Sequence, residues 1–407
     1  MTDSLNVIAL ISGGKDSFFS ILHCIQNGHK VVALGNLYPA PGPAENNTEG
    51  QGEADEHDLN SFMYQTVGHT VISLYEQALQ IPLYRQPIVG SAVQTAVSYS
   101  PAGTLKSGEL DETESLVPLL RRIMKEHPSA NAISTGAILS TYQRTRVESV
   151  ALRLGLTPLG FLWKYPILPP TTQASLLEDM QSVGLDARII KVASGGLDES
   201  FLWQNVASEP VMRRVEKSMR RFGTDGDGAV LGEGGEFETL VINGPTSLFK
   251  GRIEVQEEDR RVVAEGGGAA WLRILKARVV MKNSDEVTEE KKCRNPDLFT
   301  QRFSGVLEAL GGDQKAVHTP NSTQRSTPMP VSNTKILVQS MSQPDQGNAI
   351  HWTLASEDTN KVLSVTEEAE SLFSELRQRL TDASLQPSDI TSTVIILRSM
   401  ADFAVIN

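Results

Sequence analysis

Cysteine is almost missing from this chain: Cys24 and Cys293 are the only two in 407 residues, and they lie far apart. That scarcity excludes a disulfide framework and any Cys-x-x-Cys metal or redox motif, and it suits a reducing, cytoplasmic compartment. No apolar run approaches the ~20 residues a membrane-spanning helix needs, and no signal-like apolar core stands near the start. The expectation is a soluble protein with no membrane partner. Positive charge is short as well. Lys and Arg number 37 against 49 Asp and Glu, a net charge of -12. That balance argues against a broad nucleic-acid surface, so no stable nucleic-acid binding is expected. The seven histidines show no ligand spacing. What is present is 40% hydrophobic residues, in a chain long enough for two or three domains.

The densest local signal is Ser12-Gly13-Gly14-Lys15-Asp16-Ser17. An apolar run over 5–11 precedes it and reads as a buried parallel strand. Phe18, Ile21, Leu22 and Ile25 follow at the spacing of a helix face. Strand, paired glycines with flanking serines, then helix is the layout of a phosphate cradle. The glycines let backbone N–H groups approach an oxyanion, and the helix start adds partial positive charge. Ser12 and Ser17 bring hydroxyls and Lys15 a full charge. A plain strand-to-helix turn needs none of the other residues, and the Walker A spacing is absent.

Apolar periodicity predicts further strands at 30–37, 83–89 and 131–138. Helices are expected at 71–79, from Asp111 onward through Leu116, Leu119, Leu120 and Ile123, and over a stretch burying Val147, Val150, Ala151 and Leu154. Alternating strands and helices imply a doubly wound parallel sheet, with the ligand beyond the carboxyl ends of its strands. Residues 39–56, rich in Pro, Gly, Asn and acid, read as a surface loop. Later strands are expected at 187–193, 237–242, 248–255 and 271–281, and a helix at 211–221. Residues 311–333 form the clearest linker. Beyond it, 367–380 is an amphipathic helix and 391–397 a β-branched strand.

Two further constellations stand out. Gly136-Ala137-Ile138-Leu139-Ser140 runs into Tyr142-Gln143-Arg144 and Arg146-Val147-Glu148, where a strand meets a helix. Arg144 and Glu148 form an i,i+4 pair, and Ser140 or Thr141 suits an N-cap. On the ligand-facing edge of a sheet, Arg144 and Arg146 are also candidates for gripping an anion. Glu233-Gly234-Gly235-Glu236-Phe237-Glu238-Thr239 packs three carboxylates round two glycines. As an acidic turn it would be unremarked. Their mutual repulsion is better tolerated if they meet a cation, a magnesium nucleotide or an amine.

Ser12–Ser17 resembles the PP-loop of N-type ATP pyrophosphatases, and all three segments together look like the diphthine–ammonia ligase family, over roughly 5–280. Met63-Tyr64-Gln65-Thr66-Val67-Gly68 and the Asp55/Asp58 region fit the same family. A longer acidic insertion at 39–53 and extra residues around 162–172 depart from it without touching a motif. The resemblance implies an α/β fold: a doubly wound parallel sheet of the adenine nucleotide alpha hydrolase type, a smaller second α/β domain, and a partial α+β tail. It implies ATP and Mg²⁺ as cofactors, diphthine on translation elongation factor 2 as acceptor, and ammonium as nitrogen donor. ATP would be held by Ser12, Gly13, Gly14, Lys15, Asp16, Ser17, Gly136 and Arg144, with Mg²⁺ at Asp16. Lys15, Asp16, Glu233 and Glu236 would be catalytic. Tyr64, Gln65, Tyr142, Arg146, Gly234, Gly235 and Glu238 would meet the acceptor. The three glutamates would recognise its trimethylammonium, order Mg²⁺ or deprotonate ammonium. Phe62, Tyr64 and Phe237 offer aromatic faces to a quaternary amine.

The tail from 363 to 407 is similar to the first part of a RidA/YjgF-like deaminase module, through Ser388-Asp389 and the pattern Met400 to Asn407. The second half of that module is not in the sequence; either the chain is a fragment or the tail is vestigial, and a fragment is the favoured expectation. The expected division is a PP-loop domain over 1–155, a substrate-binding domain over 156–281, a linker over 282–333 and the partial module over 334–407. Two rival readings stay open: a PP-loop enzyme modifying tRNA, and a non-catalytic nucleotide-binding scaffold.

Overall fold

The computed structural model describes residues 4–39, 68–94, 96, 99, 110–168, 172, 174–222, 228–283, 291–294, 337–342, 350–355 and 364–387, with single residues between 390 and 406. The chain divides into two compact units, Met1–Pro296 and Asp297–Asn407.

The first unit is built on a five-stranded sheet, every neighbouring pair parallel. Its strands are β1 (Asn6–Leu10), β2 (Lys30–Tyr38), β3 (Leu83–Pro87), β4 (Ala132–Ser134) and β5 (Thr157–Leu159), in the order β3-β2-β1-β4-β5. Both faces are covered, which is why β1 reads as a continuous apolar run. Ala9 packs with Phe18, Phe19, Ile21 and Leu22 of α1 (Lys15–Gln26). One residue earlier, Ile8 packs on the opposite face with Leu116, Leu119, Leu120 and Ile123 of α4 (Leu116–Glu126) and with Val147, Val150 and Ala151 of α5 (Thr141–Arg153). The chain adds strands outward on one side of β1 and then, from β4, on the other. β1 and β4 therefore flank the switch point of the sheet, the place where open α/β sheets take their ligands.

The expected helix at 71–79 is two short ones, α2 (His69–Ile72) and α3 (Tyr75–Leu79). The sheet also takes in β5, so it runs a few residues past 155 within the first unit.

A second sheet of four strands has the order β7-β6-β10-β9 and is antiparallel throughout. It comprises β6 (Asp186–Val192), β7 (Phe237–Asn243), β9 (Arg260–Gly266) and β10 (Ala269–Ile274). Alongside runs an antiparallel pair, β8 (Gly251–Glu254) with β11 (Arg278–Met281). The expected strand over 271–281 is thus two strands in different sheets. β9 went unforeseen because it is an exposed edge: Arg260-Arg261-Val262-Val263-Ala264-Glu265 carries no clean alternation. Helices α6 (Ser175–Ser182) and α7 (Glu209–Arg221) bury Leu176, Leu177, Met180, Val211, Met212, Val215 and Met219 in the same core as α1.

In the second unit β12 (Leu337–Ser342) pairs antiparallel with β13 (Ile350–Ala355). α8 (Val365–Asp382) starts with a capping box in which Ser364 and Glu367 satisfy each other's backbone N–H. The expected loop at 39–56 and motif at 63–68 fall almost wholly outside the described residues, Tyr64 and Gln65 among them. So do the linker at 311–333 and Ser388-Asp389, and most of 391–397 and 400–407.

The two sheets of the first unit meet where Tyr75, fully buried, donates its hydroxyl to the Val241 carbonyl at 2.6 Å. The same hydroxyl lies 3.3 Å from the Gly13 carbonyl, which also accepts the Val241 N–H at 2.9 Å. Tyr75→Phe leaves a buried carbonyl short of a donor. It is expected to cost about 1–3 kcal/mol, read as a lower denaturation midpoint in urea with an unchanged slope.

Candidate active site

β1 ends at the switch point and the chain turns through Ser12, Gly13 and Gly14 into α1. Gly13 has φ +98°, and a Cβ there would lie 2.6 Å from the Ile72 side chain, so both conformation and space require glycine. Ser12 Oγ accepts the Gly14 N–H at 3.2 Å, and Ser17 Oγ donates back to the Gly14 carbonyl at 2.8 Å. The N-cap of α1 is Gly14, which brings no side chain of its own to the helix start. The start of this twelve-residue helix lies at the switch point, a position that suits an anion.

Lys15 is placed differently from the expected free cation. It is 3% exposed, and its ammonium donates to the Leu231 carbonyl at 2.6 Å and to Asp16 Oδ2 at 2.8 Å, 5.5 Å from the centre of the Phe237 ring. Its backbone N–H donates to Thr239 Oγ1 at 3.1 Å. Lys15 therefore anchors the cradle to the second sheet and steadies Asp16. Asp16 Oδ1 has no hydrogen-bond partner among the described residues. Burial raises the Asp16 pKa, and Lys15 opposes that rise. Among the described residues no three His, Cys, Asp or Glu gather as a metal cage. One open carboxylate oxygen beside a phosphate cradle suits Mg²⁺, which takes most of its ligands from phosphates and water.

The three glutamates of the acidic turn part company. Glu236 is 5% exposed and its Oε2 accepts the Gly234 N–H at 2.9 Å, while its carbonyl accepts the Ala193 N–H. It braces the turn, bringing Gly234 and Gly235 to the surface above it. Glu238 lies 4.0 Å from the Lys191 ammonium. Glu233 is the one drawn to the cradle. Burial first, then the charge of Asp16, push its pKa up to about 7, against the pull of Lys15 and of the Leu139 N–H that it accepts.

The loop after β4 joins these parts. A Cβ on Gly136 would sit 2.7 Å from the Asp16 carbonyl carbon and from the Ser17 nitrogen, so the loop is pressed against the start of α1. The Ile138 carbonyl accepts the Lys164 N–H at 2.7 Å, and Leu139 holds Glu233. Ser140 caps α5 by accepting the Gln143 N–H.

The two arginines of α5 serve different ends. Arg144 pairs with Glu148 at 2.5 Å and lies over the Trp163 ring at 4.7 Å. Arg146, expected to grip an anion, is fully buried. It donates to the carbonyls of Gln94, Ala96 and Tyr142 and covers the Tyr142 ring at 3.2 Å. Its charge ties the backbone at Gln94 and Ala96 to α5, which accounts for the guanidinium without a bound anion. Thr239, Leu231 and Trp163 are site residues the sequence reading did not assign. Thr239 stood inside the acidic motif, but a carbonyl anchor such as Leu231 has no sequence signature.

Because the Asp16 charge raises Glu233, Asp16→Asn is expected to lower the Glu233 pKa from about 7. Carboxyl NMR titration of the ligand-free protein checks this, and an unmoved Glu233 midpoint would refute the coupling.

A family model described as diphthamide synthase C-terminal domain matches residues 172–279, the span from α6 to β11. The diphthine–ammonia ligase of Schizosaccharomyces pombe is 35% identical over 408 residues, covering 99% of this chain and 60% of that protein. That of Saccharomyces cerevisiae is 30% identical, covering 99% of this chain and 55% of its own length. The human protein of the same name is 41% identical over 286 residues, 69% of this chain and 94% of the relative. The chain thus spans little more than half of the two fungal relatives and nearly all of the human one. With that identity over almost the whole of the human relative, the chain belongs to the diphthine–ammonia ligase family.

Proposed function

We propose that this chain amidates diphthine on translation elongation factor 2, using ATP and ammonium and releasing AMP and pyrophosphate. The observation that carries the reading is the meeting of the start of α1, Asp16 and Glu233 around one loop, 136–140. A carboxylate oxygen of diphthine attacks the α-phosphorus of ATP, and the bond from that phosphorus to the bridging oxygen of pyrophosphate breaks. The N–H groups at the start of α1 and the Ser12–Gly14 turn hold the charge that grows on the leaving pyrophosphate. Asp16, through Oδ1, is the residue that would hold Mg²⁺, which neutralises phosphate charge when bound. Glu233, with a pKa near neutrality, takes a proton from ammonium. The nitrogen lone pair then attacks the acyl carbon of the adenylate, AMP leaves with the electrons of the carbon–oxygen bond, and the nitrogen sheds its remaining extra proton.

Burial speaks against the sulfur-transfer branch of the tRNA-modifying alternative. Cys24 is fully buried within α1, and that burial pushes its thiol up to about 11, a poor start for a persulfide carrier. Among the described residues no helix is long and apolar enough to cross a membrane.

Labelled ATP is to be incubated with diphthine-bearing elongation factor 2, with and without ammonium. AMP and pyrophosphate are expected together with conversion of the acid to the amide, and the amide only when ammonium is present. AMP made with bulk tRNA instead, or ATP bound without cleavage, would overturn the reading. Glu233→Gln is expected to cut amidation at least ~100-fold, the usual worth of a positioned base, while ATP binding persists in equilibrium dialysis.

A further inference from the structure

We propose that the face of Trp163 is a quaternary-ammonium subsite, on which the trimethylammonium of the acceptor replaces the guanidinium of Arg144. The inference rests on the amidation reading above. A quaternary ammonium has no N–H to donate, so no hydrogen bond can select it. Aromatic faces and diffuse negative charge are what recognise it. Three aromatic rings beside the described site carry a protein cation. Phe237 is 4% exposed and faces the ammonium of Lys15, which is fixed by Leu231 and Asp16. Tyr142 is covered by Arg146, a fully buried cation held by three main-chain carbonyls. Neither cation can leave without stranding buried carbonyls.

Trp163 differs in each respect. Its ring is partly exposed and belongs to none of the three hydrophobic clusters of the described core. The Arg144 side chain above it is 33% exposed and is anchored by Glu148 at i+4 on its own helix. Arg144 can swing off the indole and keep that ion pair, so its place on the ring is exchangeable. Tryptophan is also the ring that holds cations best.

Position supports the same assignment. The Trp163 N–H donates to the Gly160 carbonyl at 3.0 Å. Lys164 takes φ +58°, a left-handed conformation that costs a non-glycine residue free energy, and its N–H is fixed on Ile138. The next residue of that loop, Leu139, holds Glu233. The Trp163 turn and Glu233 therefore hang from adjacent residues of one loop, and Glu148 holds the guanidinium that lies over the ring.

The test uses the 407-residue chain with tetramethylammonium as probe, following the indole N–H resonance identified through Trp163→Phe. A saturable shift of that resonance is expected, lost in Trp163→Leu and stronger in Arg144→Gln, where the resident cation is gone. With diphthine-bearing elongation factor 2, Trp163→Leu should raise the acceptor KM about tenfold with kcat within about twofold and the ATP KM unchanged. Trp163→Phe should recover most of the loss. An indole resonance unmoved by tetramethylammonium, or an acceptor KM indifferent to residue 163, overturns the subsite. Probe binding without amidation by the unsubstituted chain would support the subsite and count against the amidation reading.

Discussion

A lysine ammonium out of contact with water organises the first unit. Lys15 sits at the first turn of α1, yet its charge is satisfied by a carbonyl from the segment before the acidic turn and by its neighbour Asp16. Its own N–H reaches Thr239 on β7. Burying a cation without such partners would cost several kcal/mol, so the parallel sheet that carries the cradle cannot part from the antiparallel sheet that carries the glutamates. Tyr75 and the Gly13–Val241 hydrogen bond reinforce the same seam from the other side. The nucleotide cradle is in this sense a product of two sheets, although its motif lies wholly in one.

The loop after β4 has the complementary task. Lys15 fixes distance between sheets; the loop fixes direction. Gly136 allows backbone-to-backbone approach at the cradle, Leu139 orients Glu233, and Ser140 starts α5, whose first turns carry Tyr142, Arg144 and Arg146. A side chain at 136 would displace all of these together, because the atoms it would strike are main chain.

How much of this was legible depended on whether the determinant is local. The strand, cradle and helix at 6–26 were readable because apolar period, glycines and capping chemistry all lie within one stretch and agree. The Arg144–Glu148 pair was readable for the same reason. The fate of Arg146 was not. Two arginines spaced two apart on a helix look alike in sequence, and only the hydrogen bonds to the Gln94 and Ala96 carbonyls set the buried one apart from the half-open one. The three glutamates pose the same problem: in β-like spacing Glu236 and Glu238 share a face, yet the turn at Gly234-Gly235 folds Glu236 back on itself. β9 escaped notice because an exposed edge strand need not alternate. Trp163 lay in a stretch with no motif, and the bond that ties its turn to the loop after β4 is made by the backbone of its neighbour, Lys164 N–H to the Ile138 carbonyl.

The site is also a place where the fold accepts a cost. A carboxyl whose folded pKa is raised, as for Glu233, stabilises the native state fully only below its unfolded pKa. That contribution is lost as pH climbs from the ordinary glutamate range through about 7. Near neutral pH Glu233 is therefore shared between its protonated and ionised forms, and the ionised form meets the repulsion of Asp16 against the attraction of Lys15. A divalent cation beside Asp16 would offset that repulsion and favour the ionised form of Glu233. Cation arrival and proton release at Glu233 would thus be linked equilibria. Glu236, sealed against Gly234, adds its own charge to that repulsion, while Glu238 is held near Lys191. That difference in surroundings, rather than any difference in residue type, separates Glu233 from the carboxylate that shapes the turn.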